Sequence, residues 1–313
     1  MVAQSILVTG GAGFIGSHII DRLTRDGRKI QVLDNLSSGK KETLATHIRE
    51  NSVEFVEGDI RDKSLVNELS SNAGAIIHLA AIADHEVCLR DPELANDVNA
   101  RGTLNMLEAA RRNDVKSFVY ASSAALYGET SKLPISEEAP LTPISPYGSS
   151  KLMGEEHCFR YLQDYGLRTK CLRFFNVFGP RQSARQYSGV ITEFMNRLRN
   201  DEPPIIYGDG LQTRDFVNIK DIVQATILAL ESDQAGGVYN IATGKETTIN
   251  SLAEILSKIS DKALTPIHGP PRKWEIRRSV ADINKAKTQL HFNPTTGLEN
   301  DLRELWNWQD QSK

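Results

Sequence analysis

Glycines recur at every third residue in Val8-Thr9-Gly10-Gly11-Ala12-Gly13-Phe14-Ile15-Gly16, directly behind the short apolar run Ile6–Thr9. No other stretch limits the fold as strongly. A strand that turns at once into a helix needs a residue without a Cβ at the turn, and Gly10 supplies it. Gly13 lets backbone amides approach an anion at the positive end of the helix, and Gly16 lets that helix lie close on a sheet. Asp34 then closes the next apolar run, Ile30–Asp34, so that strand, turn, helix and acid fall where a dinucleotide fold requires them.

An acid at that place accepts hydrogen bonds from both hydroxyls of an adenosine ribose and repels a 2′-phosphate, which favours NAD over NADP. Asn35, Leu36, Ser37, Ser38 and Gly39 bring small groups to the same ribose, with Lys40 and Lys41 close behind. Asp59, in Gly58-Asp59-Ile60, is placed either to receive an adenine amino group or to cap the helix that begins near Asp62.

Further β-prone runs, Val53–Glu57, Ala75–Leu79, Phe118–Ala121 and Thr169–Phe174, alternate with helical patterns, as parallel strands joined by crossovers do. None alternates cleanly between polar and apolar, which suits a sheet covered on both faces. The reading is an α/β chain: a Rossmann-type doubly wound parallel sheet over residues 1–175, with some later segments returning to it, and a smaller, mostly C-terminal α/β substrate lobe over 176–313. Helices are expected over Pro92–Asn113, Ser145–Tyr165, Asp221–Glu231 and Ile249–Ser260; the second opens on a Ser-Pro pair that fits an N-cap with proline at N1.

A formal net charge of −3 provides no basic field for a phosphate backbone, so nucleic acid is not an expected partner, whereas a small anionic ligand needs only a few placed arginines. No run of about 18 apolar residues occurs, so no membrane span is expected, and Met1 to Thr9 read as a strand rather than a leader. Cys88, Cys158 and Cys171 are odd in number and lack paired spacing, which argues against a disulfide framework or a thiolate metal site. No metal and a reducing cytosol are the expectations.

Proton-transfer chemistry is suggested by Ser145-Pro146-Tyr147-Gly148-Ser149-Ser150-Lys151, where Tyr147 and Lys151 share one helix face. A tyrosine with a pKa of about 10 is a poor base at neutral pH. A neighbouring ammonium and a positive nicotinamide ring both favour its phenolate. Ser123 comes off the fifth strand at the same sheet edge and is the candidate partner, making Ser123, Tyr147 and Lys151 the candidate catalytic set.

In these motifs the chain resembles the extended short-chain dehydrogenase/reductase family, and within it the UDP-galactose 4-epimerase branch. The resemblance runs almost from end to end. It includes His78-Leu79-Ala80-Ala81, Asn99 with Gly102-Thr103, Leu172 to Arg181, Gly208 to Val217, and Arg277 to Asp282. It implies that NAD is lined by Gly10, Gly13, Phe14, Ile15, Gly16, Asp34 through Gly39, Asp59, Ile60, Leu79, Ala80, Ala81, Ile82, Ala83, Asn99, Tyr147, Lys151 and Phe175. On the substrate side it implies Ser123, Tyr147, Asn176, Gly189, Val190, Ile206, Tyr207, Arg214, Arg272, Glu275 and Ser279. Arg214 and Arg272 would meet the diphosphate, and Glu275 the uridine ribose.

The implied activity is inversion at C4 of a UDP-hexose through a transient 4-keto sugar, with Tyr147 as base. Relatives that dehydrate or decarboxylate sugar nucleotides carry acids just after the serine position; Ala124 and Ala125 stand there instead. A net sugar-nucleotide reductase and a non-catalytic NAD-sensing protein are the alternatives. Serine at position 279 leaves room for an N-acetyl group at C2, and Asp84 and Glu86 are expected to repel a C6 carboxylate. The helices over Pro92–Asn113 and Ser145–Tyr165 resemble those that pair as a four-helix bundle in the family's homodimers.

Overall fold

The structure, a computed structural model, describes residues 5–182, 189–272, 275–295 and 297–311. The leader reading therefore falls partly on residues 1–4, which lie outside the described ones. Strands β1 (Ser5–Thr9), β2 (Ile30–Asp34), β3 (Val53–Glu57), β4 (Ala73–His78), β5 (Ser117–Ser123) and β6 (Thr169–Phe174) form a parallel sheet with a seventh strand, Gly237–Ile241. From that seventh strand inward the order is β6, β5, β4, β1, β2, β3. The chain thus reverses direction across the sheet between β1 and β4, and Thr9 lies opposite His78 at their carboxyl ends. A crevice for a ligand opens at such a switch point.

Both faces are covered, which explains the unbroken apolar strands. Val8, Ile77, Val119 and Leu172 point toward helix α1 (Phe14–Arg25) and the helix Ile219–Glu231. Their neighbours Leu7, Ile76, Phe118 and Cys171 face the helices Thr103–Arg112 and Pro146–Tyr165. A third cluster, around Phe194, Leu198, Ile206, Leu252, Leu256 and Leu302, is built by the helices Val190–Arg199, Ile249–Ser260 and Leu298–Gln311. No described helix is long and apolar enough to cross a membrane.

Most expected elements are present within two residues of the bounds read from the sequence. The helix over Pro92–Asn113 is the exception: Pro92–Asn96 runs into a wider π-type turn over Asp97–Gly102 before Thr103–Arg112 resumes the α-helix. Two packing demands meet in that turn. Gly102 lies on the core, where a Cβ would stand 2.5 Å from Ile60 Cδ1, and Asn99 is turned inward and buried. Widened turns of this kind are frequent at functional sites.

The helix Pro146–Tyr165 is fixed at both ends and in its middle. Ser145 Oγ accepts from Gly148 N at 3.1 Å, and Gly166 closes it at φ +70. Gly154 lets it lie on β5, since a Cβ there would be 2.2 Å from Tyr120 Oη. Glu155 anchors it to β6: its carboxylate takes Arg173 Nε at 3.1 Å and Arg173 Nη2, with side chains 7% and 4% exposed respectively. Ser122 Oγ donates to Glu155 Oε2 at 2.7 Å. Arg173 Nη1 donates to Tyr127 Oη at 2.7 Å and to Glu137 O at 2.9 Å. Tyr127 Oη in turn donates to Asn240 Oδ1 at 2.7 Å on the seventh strand.

Two substitutions test this scaffold by urea denaturation. A Cβ at Gly16 would sit 2.2 Å from Gly10 O and 2.6 Å from Gly11 Cα, contacts with backbone that has no room to yield. The gain in helix propensity of about 1 kcal/mol is therefore outweighed, and Gly16→Ala is expected to lose about 1–3 kcal/mol net. Glu155→Gln strands a buried guanidinium and is expected to cost about 3 kcal/mol. The double replacement Glu155→Met with Arg173→Met, which leaves no charge behind, should recover most of that loss.

Candidate functional site

The glycine turn is built as its spacing demands. Gly10 sits at φ +71, and a Cβ there would lie 2.8 Å from Ala80 N, so the turn is pressed against the first residues after β4. Among the described residues a Cβ at Gly13 would meet just Gly10 O, at 3.2 Å, so its outer side is open to them. Asp34, buried at the end of β2, accepts from Ala12 N and Leu36 N, each at 2.9 Å. Burial pushes its carboxyl pKa upward while those two amides oppose the shift. A carboxylate offers about four lone-pair sites, so two remain for ligand hydroxyls. A dinucleotide therefore fits this cradle: an amide-lined turn without Cβ atoms for the pyrophosphate and a buried acid for the ribose.

Residues 35–39 fold back over the turn, with Lys40 N donating to Ala12 O at 3.1 Å and Gly39 too close to Ala12 for a Cβ, 2.9 Å from its carbonyl carbon. Ser37 N donates to Asn35 Oδ1, and Ser38 is exposed. Asn35 Nδ2 donates to Asp59 Oδ2 at 3.0 Å. Asp59 is also gripped by Arg61 Nε and Nη2 at 2.9 and 2.8 Å, and these hydrogen bonds bring its pKa down to about 2. The helix cap in this region is Asp62, which accepts from Ser64 N and Leu65 N, not Asp59. Ile60 belongs to the core, whereas Phe14, Ile15, Leu79, Ala80, Ala81 and Ile82 are half-buried and Ala83 is exposed. Lys41 extends over the Phe55 ring, 4.9 Å from its centroid.

Asn99 ties the cofactor side to the candidate catalytic helix. Its Oδ1 accepts from Ile82 N at 2.7 Å, and its Nδ2 donates to Ile82 O and to Ser150 Oγ, both at 2.9 Å. Ser150 Oγ donates to Tyr147 O at 2.8 Å. Behind this clamp His78 is buried, with Nδ1 2.7 Å from Thr9 Oγ1 and Nε2 3.0 Å from Thr103 Oγ1. Thr103 Oγ1 donates to Asn99 O, so it accepts from His78, which fixes the proton on Nε2. Burial holds the imidazole neutral, with a pKa pushed down to about 3.

Tyr147 and Lys151 share one face of the helix, as their spacing requires. Lys151 is buried, with its ammonium 4.3 Å above the Tyr120 ring. Burial lowers its pKa to about 8, so its positive charge is present below that pH and fades above it. The first helical turn abuts the segment after Ser123, because a Cβ at Gly148 would lie 2.6 Å from Ala125 O. Ser123 Oγ accepts from Ala125 N at 3.1 Å, which keeps its O–H able to donate. Ser123 and Tyr147 therefore stand at one edge of the sheet.

The site also contains a residue absent from the sequence reading. The rings of His85 and Tyr147 are in contact, with centroids 4.9 Å apart. Asp84 uses its carboxylate to cap the helix His85–Arg90, accepting from Glu86 N and Val87 N, and Glu86 is exposed. Of the residues from 83 to 86, the one against Tyr147 is thus His85 rather than either acid. Its signal was weak in the sequence, since nothing in Ala83-Asp84-His85-Glu86 distinguishes the inward position of a short helix.

The remaining candidates fall on the later elements. Phe175 is buried against Tyr127, and its N donates to Ile241 O at 3.1 Å; Asn176 N donates to Asp215 O at 3.1 Å. Arg214 and Glu275 come together, with Nη2 3.4 Å from Oε1, while Arg214 Nη1 donates to Thr213 O and Ile276 O. Arg272 is exposed and lies over the Tyr207 ring at 4.2 Å. Gly189 caps the helix that Val190 opens, Ile206 is buried in the third apolar cluster, and Ser279 is buried. Asp215 holds this region together, accepting from Thr243 N, Thr243 Oγ1, Gly244 N and Ala281 N. Among the described residues no cluster of His, Cys, Asp and Glu is arranged to hold a metal ion.

Residues 6–242 match the model of the NAD dependent epimerase/dehydratase family. A UDP-glucose 4-epimerase of Mycolicibacterium smegmatis is 36% identical over 294 residues, covering 93% of this chain and 94% of that protein. Among solved structures, a UDP-N-acetylglucosamine 4-epimerase from Methanobrevibacter ruminantium, in complex with UDP-N-acetylmuramic acid, superposes with a TM-score of 0.94 at 37% identity, covering 100% of both chains. A UDP-glucose 4-epimerase from Thermotoga maritima, solved with UDP-glucose, gives 0.93 at 38% identity, covering 98% of this chain and 99% of that one. With the glycine turn, the buried Asp34 and the Tyr147/Lys151 helix in place, the chain belongs to the NAD dependent epimerase/dehydratase family, of the extended short-chain dehydrogenase/reductase type.

Proposed function

We propose that this protein is an NAD-dependent 4-epimerase of UDP-hexoses, interconverting UDP-glucose and UDP-galactose, with Tyr147 as the base. The observation that carries the reading is the pairing of Tyr147 with a buried Lys151 at the sheet edge where Ser123 ends β5. Alanines 124 and 125 stand where a dehydratase or decarboxylase needs acids. NAD, when bound, supplies the acceptor and donor of the C4 hydride. The protein's own groups manage the proton. Tyr147 as phenolate takes the C4 hydroxyl proton and returns it, Ser123 donates to the C4 oxygen, and the Lys151 ammonium favours the phenolate.

In this reading residues 1–175 hold the cofactor, with Gly10, Gly13, Asp34 and Asn99 as its principal supports. Residues 176–313 supply most contacts to the nucleotide sugar, with Arg214 and Arg272 at the diphosphate, Glu275 at the uridine ribose and Asn176 at the diphosphate or the sugar edge. Arginine forks suit a diphosphate because they pair with it bidentately. The protein works as a C2 homodimer through a four-helix bundle of the helical segments over Pro92–Asn113 and Ser145–Tyr165; Met153, Phe159 and Tyr165 on the latter are exposed, as a partner surface would be. Three buried, unpaired cysteines suit the reducing cytosol.

The decisive assay is incubation with a panel of UDP-hexoses without added reductant, resolving C4 epimers by chromatography. Interconversion is expected for the wild type. Tyr147→Phe should reduce turnover by at least about a hundredfold while leaving the fold intact. Ser279 places a small side chain where the family walls the C2 substituent, so the acetylated sugars UDP-N-acetylglucosamine and UDP-N-acetylgalactosamine are admitted as well. Ser279→Tyr should abolish conversion of these while largely sparing UDP-glucose; an equal loss on both kinds of sugar would count against that pocket wall.

A further inference from the structure

The contact between His85 and Tyr147 is held by the backbone on both sides. Ile82, three residues before His85, is bonded through its N–H and its C=O to the Asn99 amide. Asn99 donates onward to Ser150, and Ser150 to the carbonyl of Tyr147. On the other side of His85, the Cys88 thiol donates to the same Ile82 carbonyl at 3.6 Å, and Asp84 caps the helix that His85 opens. One continuous strap of hydrogen bonds therefore sets where the imidazole stands relative to the phenol, with ring centroids 4.9 Å apart and planes at 51°.

A base that takes the C4 hydroxyl proton must touch the C4 oxygen. A half-buried side chain in ring contact with that base would reach the groups nearest C4, which are the C3 hydroxyl and the hydroxymethyl on C5. We propose, building on the UDP-sugar epimerase reading above, that His85 is a specificity-determining residue whose imidazole hydrogen-bonds a sugar hydroxyl near C4, either the one on C3 or the one on C6. Burial lowers the pKa of His85 against the opposing pull of Asp84. The ring is neutral at pH 7 and carries one N–H donor and one nitrogen acceptor. Such a group meets a hydroxyl in either hydrogen-bonding sense without burying a charge.

Calorimetric titration of the NAD-loaded protein with UDP-galactose and with UDP tests the inference. Wild type should bind UDP-galactose more tightly than UDP. His85→Val should weaken UDP-galactose by about tenfold and leave UDP within about twofold, since only the sugar loses a partner. His85→Gln, which keeps a donor and an acceptor, should restore most of the difference. UDP-arabinose in its pyranose form, which has no C6, identifies the hydroxyl: if the valine penalty disappears the partner is on C6, and if it persists the partner is on C3. Equal affinity of wild type and His85→Val for UDP-galactose, an equal loss for UDP, or a wild type that binds the two ligands alike would each overturn the proposal. Turnover separates this from the reading beneath it. A wild type that binds UDP-galactose through His85 but never epimerises it would refute the epimerase and leave the contact standing.

Discussion

The buried pair of Arg173 and Glu155 is the interaction on which the rest of the site depends. Two charges removed from water are tolerated only when each finds its complement. Here the carboxylate takes the guanidinium and Ser122, and the guanidinium also reaches Tyr127 and the Glu137 carbonyl. The pair joins β6 to the helix that carries Tyr147 and Lys151, one turn beyond Lys151. Helix, strand and seventh strand are therefore locked in a single register, and the face that bears Tyr147 and Lys151 is held against the sheet edge by charge geometry as well as by apolar packing.

A second set of polar contacts performs the corresponding task across the crevice. The line from Thr9 through His78 and Thr103 to Asn99 is buried, and its donors and acceptors can all be satisfied only with a neutral imidazole bearing its proton on Nε2. His78 therefore acts as a spacer between β1, β4 and the widened helical turn. Asn99 passes that order outward to Ile82 on one side and Ser150 on the other. A polar network of this kind rigidifies only when complete, and completeness here joins the glycine turn to the helix Pro146–Tyr165.

The dinucleotide half of the fold was legible because its constraints are local. A glycine spacing, an acid at a strand end, apolar runs of strand length and a Ser-Pro cap each act within a few residues, and the structure has them where the chain implied. The candidate site residues could be named from their motifs, but not the contacts that surround them. Arg173 in Cys171-Leu172-Arg173-Phe174 announces that a charge lies within a strand buried on both faces, yet its partner lies 18 residues away and is seen only once helix and strand are packed. The widened turn at Asp97–Gly102 escaped because helical periodicity does not register one extra residue in a turn. His85 escaped for a different reason: which side of a six-residue helix faces inward is decided by its neighbours, not by its own sequence.

The seventh strand has a consequence for how the chain is made. Gly237–Ile241 pairs with β6, but more than sixty residues separate them, and Asn240 completes the hydroxyl of Tyr127 that contacts Arg173. Synthesis proceeds from the N-terminus, so the growing chain presents β6 as an open sheet edge until residue 241 has emerged. An open edge invites pairing with other chains. The charged network beneath it is likewise incomplete over that interval. The nascent protein therefore carries an open β6 edge while the residues between Phe174 and Gly237 are being translated, and truncations ending before Gly237 would be left permanently in that state.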